Sequence, residues 1–350
     1  MLHVITPYGR GGPSSRVRVF EWLDRVRAEH EVTSYIGHHN ARASAVARRP
    51  RTVWSVERRL RKIASARPER LLLHREASPL SRGRLERRLL AGADFSVYDF
   101  DDALHTDWGD GGILRRLAPK APKTVLAVQH ADRVIAASPT LVEWAAKYNR
   151  DVVFIPSCVA PEKYVPKRAF ELADPPRLGW IGSADNETYL KLIEPALQRV
   201  HQKTGARLTL IGTTEPHLGA MERFIDRVAW SEPTQYSLLN SLDVGLMPVP
   251  DEPYERGKAG YKLLQYAATG TALIASPVGV NSTILHQLGM PGPANGEEWV
   301  DALLELLNMS SAARAVSAAH CRRVVDEMYS FDAWQSRWER AVGLDLGDPP

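Results

Sequence analysis

Apolar runs the length of a single β-strand recur down the chain, and most are separated by stretches with helical spacing. "LHVIT" opens the sequence, followed by "EVTSYI", "RLLLH", "FSVYDF", "RVIAAS" and "DVVFIPS". Strands that alternate with helices pair in parallel, because the helix returns the chain to the same end of the sheet, and both faces are then covered. The cycle restarts after "ADPPRLGWIGS", where Pro175-Pro176 reads as a linker. Strand "RLGWIGS" leads to helix "ETYLKLIEPALQRVHQ", strand "RLTLIG", helices "MERFIDRV" and "TQYSLLNSL", strand "DVGLMPV", helix "AGYKLLQYAAT", strand "TALIASPV" and helix "NGEEWVDALLELL". The first strand of each cycle runs into a glycine turn. In the first, "PYGRGGPSS" precedes "RVRVFEWLDRVRA", in which Val17, Phe20, Leu23 and Val26 keep helical spacing.

A chain of 350 residues exceeds one ordinary core, so two domains of roughly 150 residues each are expected. The pattern predicts an α/β protein of two Rossmann-like domains facing an interdomain cleft. Residues 1–170 form the first and 171–330 the second; in 331–350, Phe331, Trp334 and Trp338 share a face suited to docking a last helix back across the junction. With 44% hydrophobic and 25% charged residues, the composition is that of a soluble globular protein. Cys158 and Cys321 are the only cysteines, which argues against a disulfide framework and a cysteine metal site. The start lacks a basic segment followed by a long apolar core, so a cytoplasmic protein is expected.

Net charge is +4, unevenly spread. Between Arg42 and Arg88 arginines crowd "ARRPRTVWSVERRLRK" and "SRGRLERRLL" with few acids. Solvated helix faces are the plain reading; an anionic surface or acceptor, with peripheral membrane contact, is the alternative. No zinc-finger spacing, aromatic RNA-binding motif or helix-turn-helix points to nucleic acid.

"YDFDDALH" (98–105) raises a sharper question. Asp99-Phe100-Asp101 is a D-x-D, which can hold a metal on a nucleotide diphosphate, act without metal, or open a helix through an N-capping Asp101 or Asp102. Arg75 and Glu76 end the strand "RLLLH", and in a parallel sheet ligands collect at such carboxyl ends.

"GWIGS" (179–183), "LDVGLMPVPDEPYERGKAGYKLLQYAATGTALIASPVGVN" (242–281), "LLLHREASP" and "VYDFDDALH" together resemble the retaining GT-B glycosyltransferases of the GT4 group. The resemblance implies a GT-B fold, a hexosyltransferase-type activity, a nucleotide-diphospho-sugar donor, no required cofactor and no metal. The acceptor it leaves open is a sugar, a natural product or a lipid-linked molecule. Many members carry two glutamates separated by seven residues. Here the second position falls on Gln265 and the first on Gly257, with Glu255 two residues away; Gly257, Lys258 and Lys262 instead match a "GKxxxK" arrangement.

Breaking a nucleotide-sugar bond leaves a diphosphate, so the catalyst needs fixed positive potential at the departing oxygens. Arg256, Lys258 and Lys262, before or within the first turns of "AGYKLLQYAA", are expected to supply it, with Lys258 and Lys262 four apart on one helix face. An exposed basic helix start is the plain reading. The family likeness places Gly11 and Gly12, with Arg10 or Arg16, and Gly182 and Ser183 beside the donor; an ordinary tight strand-to-helix turn is the alternative for Gly11 and Gly12. It places Trp230 near the base and Gln265 on the ribose; core packing is the alternative for Trp230. Asp101 and Asp102 fall near the acceptor-side catalytic position, joined by Arg75, Glu76 and His105 for acceptor binding. A structural ion pair is the alternative for Arg75 and Glu76. Two other functions stay open: a metal-dependent D-x-D glycosyltransferase, and a noncatalytic nucleotide-sugar-binding protein, since both glutamates are missing.

Overall fold

The structure, a computed structural model, describes residues 1–35, 48–106, 116–212, 214–215 and 218–344. It divides into two compact units. The first comprises Met1–Ser157, Arg256–Ala259 and Trp334–Pro350, and the second Cys158–Glu255 and Gly260–Ala333. Residues 158–176 go with the second unit because they are tied to it by backbone and ring contacts. Val159 N–H donates to Tyr329 O at 3.0 Å, and Tyr164 meets Tyr236 edge-on at 4.9 Å.

In the first unit, β1 (Leu2–Thr6), β2 (His30–Ser34), β3 (Arg70–His74), β4 (Phe95–Phe100), β5 (Arg133–Ala136) and β6 (Val152–Phe154) form a parallel sheet in the order β2-β1-β3-β4-β5-β6. Val4 lies opposite Val32 and Leu72, so continuous apolar runs meet in register. A helical segment, α1 (13–23), follows β1. Its stretch Arg16–Phe20 is wound more widely than an α-helix, and all five residues are buried, Arg16 and Arg18 included. Helix spacing extended to Val26, yet the helix ends at Leu23, where Arg25 N–H turns back onto Trp22 O at 2.9 Å. Helices α2 (Pro50–Ala66), α3 (Arg84–Leu90), α4 (Lys120–His130) and α5 (Pro139–Ala145) complete the alternation.

The second unit repeats the plan. Strands β7 (Arg177–Ile181), β8 (Arg207–Gly212), β9 (Ile225–Ala229), β10 (Val244–Met247) and β11 (Ala272–Ala275) are parallel in the order β11-β10-β7-β8-β9. "MERFIDRV", expected as a helix, is instead a tight turn over Gly219–Phe224 followed by β9. There Ile225 pairs with Leu208, and Asp226 takes a 2.6 Å ion pair from Arg207 on the neighbouring strand. β-branched Ile225 and Val228 suit a pleated edge, and cross-strand pairing outweighs the helical spacing. The longer helices are α6 (Glu194–Thr204), α7 (Glu232–Asn240), α8 (Tyr261–Thr269), α9 (Val280–Leu288), α10 (Gly296–Asn308) and α11 (Ser311–Met328).

The last helix, α12 (Phe331–Ala341), carries three aromatics, as its spacing predicted. Within the first unit Trp338 stacks on Trp22 at 5.3 Å, and Trp334 meets Phe154 edge-on at 5.6 Å.

Both sheets have a switch point, where successive connections leave in opposite directions and open a crevice at the carboxyl ends of the strands. It falls between β1 and β3 in the first unit and between β7 and β10 in the second.

Candidate functional site

At the switch point of the first unit, β1 passes into the turn that holds Gly11 and Gly12. Gly12 has no room for a side chain: a Cβ there would stand 2.4 Å from the Tyr8 Cβ. Arg10 is held outside by two hydrogen bonds to Asp24, at 2.7 and 2.5 Å.

The D-x-D divides between two cations. Asp99, 1% exposed, accepts from Arg18 Nη2 at 2.5 Å and lies 2.7 Å from His74 Nδ1. Arg18 spends its remaining donors on the carbonyls of Ile155 and Pro156, at 2.9 and 2.8 Å. Burial pushes the Asp99 carboxyl up, but Arg18 and His74 outweigh it and hold it below the ordinary carboxylate range. Its charge is already neutralised, leaving it a structural anion.

Asp101 and Asp102, just past β4, are both gripped by Arg75. Arg75 Nε donates to Asp101 Oδ1 at 2.6 Å and Nη2 to Asp102 Oδ2 at 2.5 Å. Burial opposes the Asp101 charge, and Arg75 leads the cations that keep it well below the usual range. Arg75 pays for its reach with a left-handed backbone, φ 59°, which the Tyr98 hydroxyl steadies by donating to Arg75 O at 2.8 Å. Glu76 turns elsewhere, accepting from buried Lys123 Nζ at 2.7 Å. Burial pushes its carboxyl up, but Lys120 and Lys123 prevail and bring it to about 2. His105 stacks on Trp144, with ring centroids 4.0 Å apart. Burial, then the Lys147 charge, lowers it to about 4, and its buried Nδ1 has no hydrogen-bond partner. The structure thus brings Arg75, Asp101 and Asp102 into one cluster, while Glu76 and His105 have separate surroundings.

In the second unit, β7 runs into Gly182 and exposed Ser183. A Cβ on Gly182 would stand 2.5 Å from the Trp180 ring and 3.2 Å from Lys262 Cε, so only glycine keeps the backbone open at this strand end. Lys262 Nζ lies 5.1 Å from the Trp180 ring centroid, which fixes the ammonium beside the same turn. Helix α8 begins after Gly260, whose φ of 66° and 2.5 Å approach to Ile284 both call for glycine. Lys258 precedes that left-handed residue, so the expected face shared by Lys258 and Lys262 on one helix does not form. Arg256, Gly257 and Lys258 go with the first unit, where Gly257 O accepts from Ser138 Oγ at 3.2 Å.

Glu255 is 1% exposed. Its Oε1 accepts from the Tyr189 hydroxyl, and its Oε2 has no hydrogen-bond partner. Asn281, 2% exposed, donates from Nδ2 to Ser276 O at 3.2 Å and likewise leaves Oδ1 unpartnered. Gln265 is buried and donates to Gln235 Oε1 at 3.4 Å, the atom that also accepts from Trp230 Nε1 at 3.4 Å. Trp230 is half-buried against the core of this unit. Sequence reasoning missed Tyr189 and Asn281. Nothing in the sequence marks the first; the second lies inside the block that carries the family likeness.

Gly182, Glu255 and Asn281 follow β7, β10 and β11 past the carboxyl end of one parallel sheet, and the Lys262 ammonium lies beside the Gly182 turn, a setting for a polar ligand. Residues 175–309 match the family model of glycosyl transferases group 1. Over this stretch the chain is similar to the group 1 glycosyl transferases. The stretch spans all five strands of the second unit and includes Gly182, Glu255, Lys262, Gln265 and Asn281. No curated protein matches the chain by sequence. Solved glycosyltransferases share the fold, two Rossmann-like domains of the GT-B type. HepE of Anabaena, solved in complex with UDP, is 11% identical over 98% of this chain and 99% of its own, with a TM-score of 0.66. WaaG, a glycosyltransferase involved in lipopolysaccharide biosynthesis, is 12% identical over 99% of this chain and 100% of its own, with a TM-score of 0.64. A TarM mutant of S. aureus, in complex with Fondaparinux, alpha-GlcNAc-glycerol and UDP, is 13% identical over 81% of this chain, with a TM-score of 0.60; the match spans only 58% of the TarM chain.

Proposed function

We propose that the chain moves a sugar from a nucleotide-diphospho-sugar to an acceptor hydroxyl, with retention at the anomeric carbon and no required metal ion. The observation that supports this most is the pairing of Gly182 with Lys262 inside the segment that matches the group 1 glycosyl transferases. A diphosphate lying on the Gly182 backbone meets a fixed ammonium where its charge develops. HepE and TarM were solved with UDP, which favours the same ligand class here.

In this reading the bond from the anomeric carbon to the diphosphate oxygen breaks while the acceptor oxygen bonds that carbon from the same face. The acceptor proton passes to the departing phosphate oxygen. Positioning and electrostatics are then the protein's main contribution. Lys262 stabilises the leaving charge. Glu255 Oε2 and Asn281 Oδ1 are acceptors for donor hydroxyls, and Gln265 serves the ribose. We assign Asp101 and Asp102, aimed by Arg75, to acceptor orientation, and Asp101→Ala or Asp102→Ala should depress transfer much more than donor binding. A transfer assay over donor and acceptor panels in EDTA tests the whole reading. Turnover in EDTA supports it; loss rescued by manganese favours the D-x-D alternative, and donor binding without turnover favours a noncatalytic binding protein.

A further inference from the structure

The arginine-rich stretch that the proposed reaction does not use folds into one surface. Helices α2 and α3 pack against each other in the first unit. α2 turns Val53, Leu60, Ile63 and Ala64 inward, so Arg51, Trp54, Arg58 and Lys62, spaced three and four apart, form an outward stripe. α3 does the same, with Glu86, Leu89 and Leu90 inside and Arg84, Arg87 and Arg88 exposed. Other cations of α2 have carboxylates, Arg59 with Glu31 at 2.6 Å and Arg61 with Glu57 at 3.2 Å. The six outward ones have no ion-pair partner among the described residues. In their midst Trp54 is 63% exposed, with the Arg58 guanidinium 5.4 Å from its ring centroid.

We propose that this face of α2 and α3 docks the protein on an anionic lipid surface. Six unbalanced cations on two adjacent helices complement a sheet of headgroup phosphates, and an exposed indole among them suits the membrane interface, apolar body inward and N–H toward the headgroups. Base stacking by a single nucleic acid strand is less favoured, because Arg58 covers one face of Trp54. No described helix is long and apolar enough to cross a membrane, so the contact is peripheral. It extends beyond the proposed reaction and does not depend on it.

Cosedimentation of the full chain with phosphatidylglycerol–phosphatidylcholine vesicles, against phosphatidylcholine alone, tests the assignment. Each basic residue at such a surface is worth about fivefold in partitioning, so Arg51→Glu/Arg58→Glu/Lys62→Glu should lower binding at least about hundredfold. High salt should abolish the preference for anionic vesicles, and Trp54→Ser should weaken binding several-fold. Should the α2 triple variant lose its melting transition, Arg84→Glu/Arg87→Glu/Arg88→Glu on α3 gives the same readout. Equal partitioning into neutral vesicles, or undiminished binding by a folded triple variant, overturns the proposal. So does duplex DNA binding as tight as vesicle binding and indifferent to Trp54→Ser, which would mark a general polyanion surface.

Discussion

The two units share a parallel sheet with one switch point, yet they treat the carboxylates at their strand ends in opposite ways. In the first, the strand ends are closed by the protein's own charges: Arg18 answers Asp99, and Arg75 answers Asp101 and Asp102. In the second, the strand end keeps a backbone that tolerates no side chain at Gly182, and buried oxygens of Glu255 and Asn281 lack partners. A buried polar atom without a partner costs about 1–3 kcal/mol, a cost that a bound ligand can remove. The first arrangement preorganises a cluster, and the second waits for a ligand.

Breaking the closed arrangement should have the largest effect. Asp99→Ala leaves the Arg18 guanidinium buried and uncompensated, and truncating one partner of a buried pair costs about 3–5 kcal/mol. Chemical denaturation should show that loss. A variant of unchanged stability that fails to bind nucleotide would erase the contrast between the units.

Gly182→Ala attacks the open arrangement. Its new Cβ must displace the Trp180 ring, an overpacking worth about 1–3 kcal/mol. Nucleotide affinity, measured by calorimetry well below the melting temperature, should fall further than stability does. Equal falls in both would leave Gly182 a packing residue only.

The smallest effect lies in pH. His105 is held neutral by burial with a folded value of about 4, against about 6.5 unfolded. Its contribution to stability is therefore present above pH about 6.5 and is lost as pH falls through about 4. His105→Phe retains a ring on Trp144 and should flatten the stability profile across that window; an unchanged slope would assign it to other groups.

Much of this was legible in the sequence. The strand runs of "RLLLH", "FSVYDF" and "DVGLMPV" are apolar because parallel strands are buried on both faces, and the glycine of "GWIGS" stands at the second switch point as expected. Three features were not legible. β9 carries a helical period, and only its pairing with β8 decides its form. Lys258 lies four residues before Lys262, but the left-handed Gly260 interrupts the helix between them. The partition of "YDFDD" into Asp99 for Arg18 and Asp101 with Asp102 for Arg75 depends on long-range contacts that local spacing does not encode.

The central claim is that the second unit binds a nucleotide-diphospho-sugar on Gly182 and Lys262. Calorimetric titration of wild type and Lys262→Met, using the donor that gives the largest thermal shift, tests it most directly. A charge-assisted hydrogen bond is worth about 1.5–3 kcal/mol, so the account predicts about 10–100-fold weaker binding with little change in melting temperature. Undiminished affinity in the variant, or a wild type that binds no nucleotide-diphospho-sugar, would contradict it.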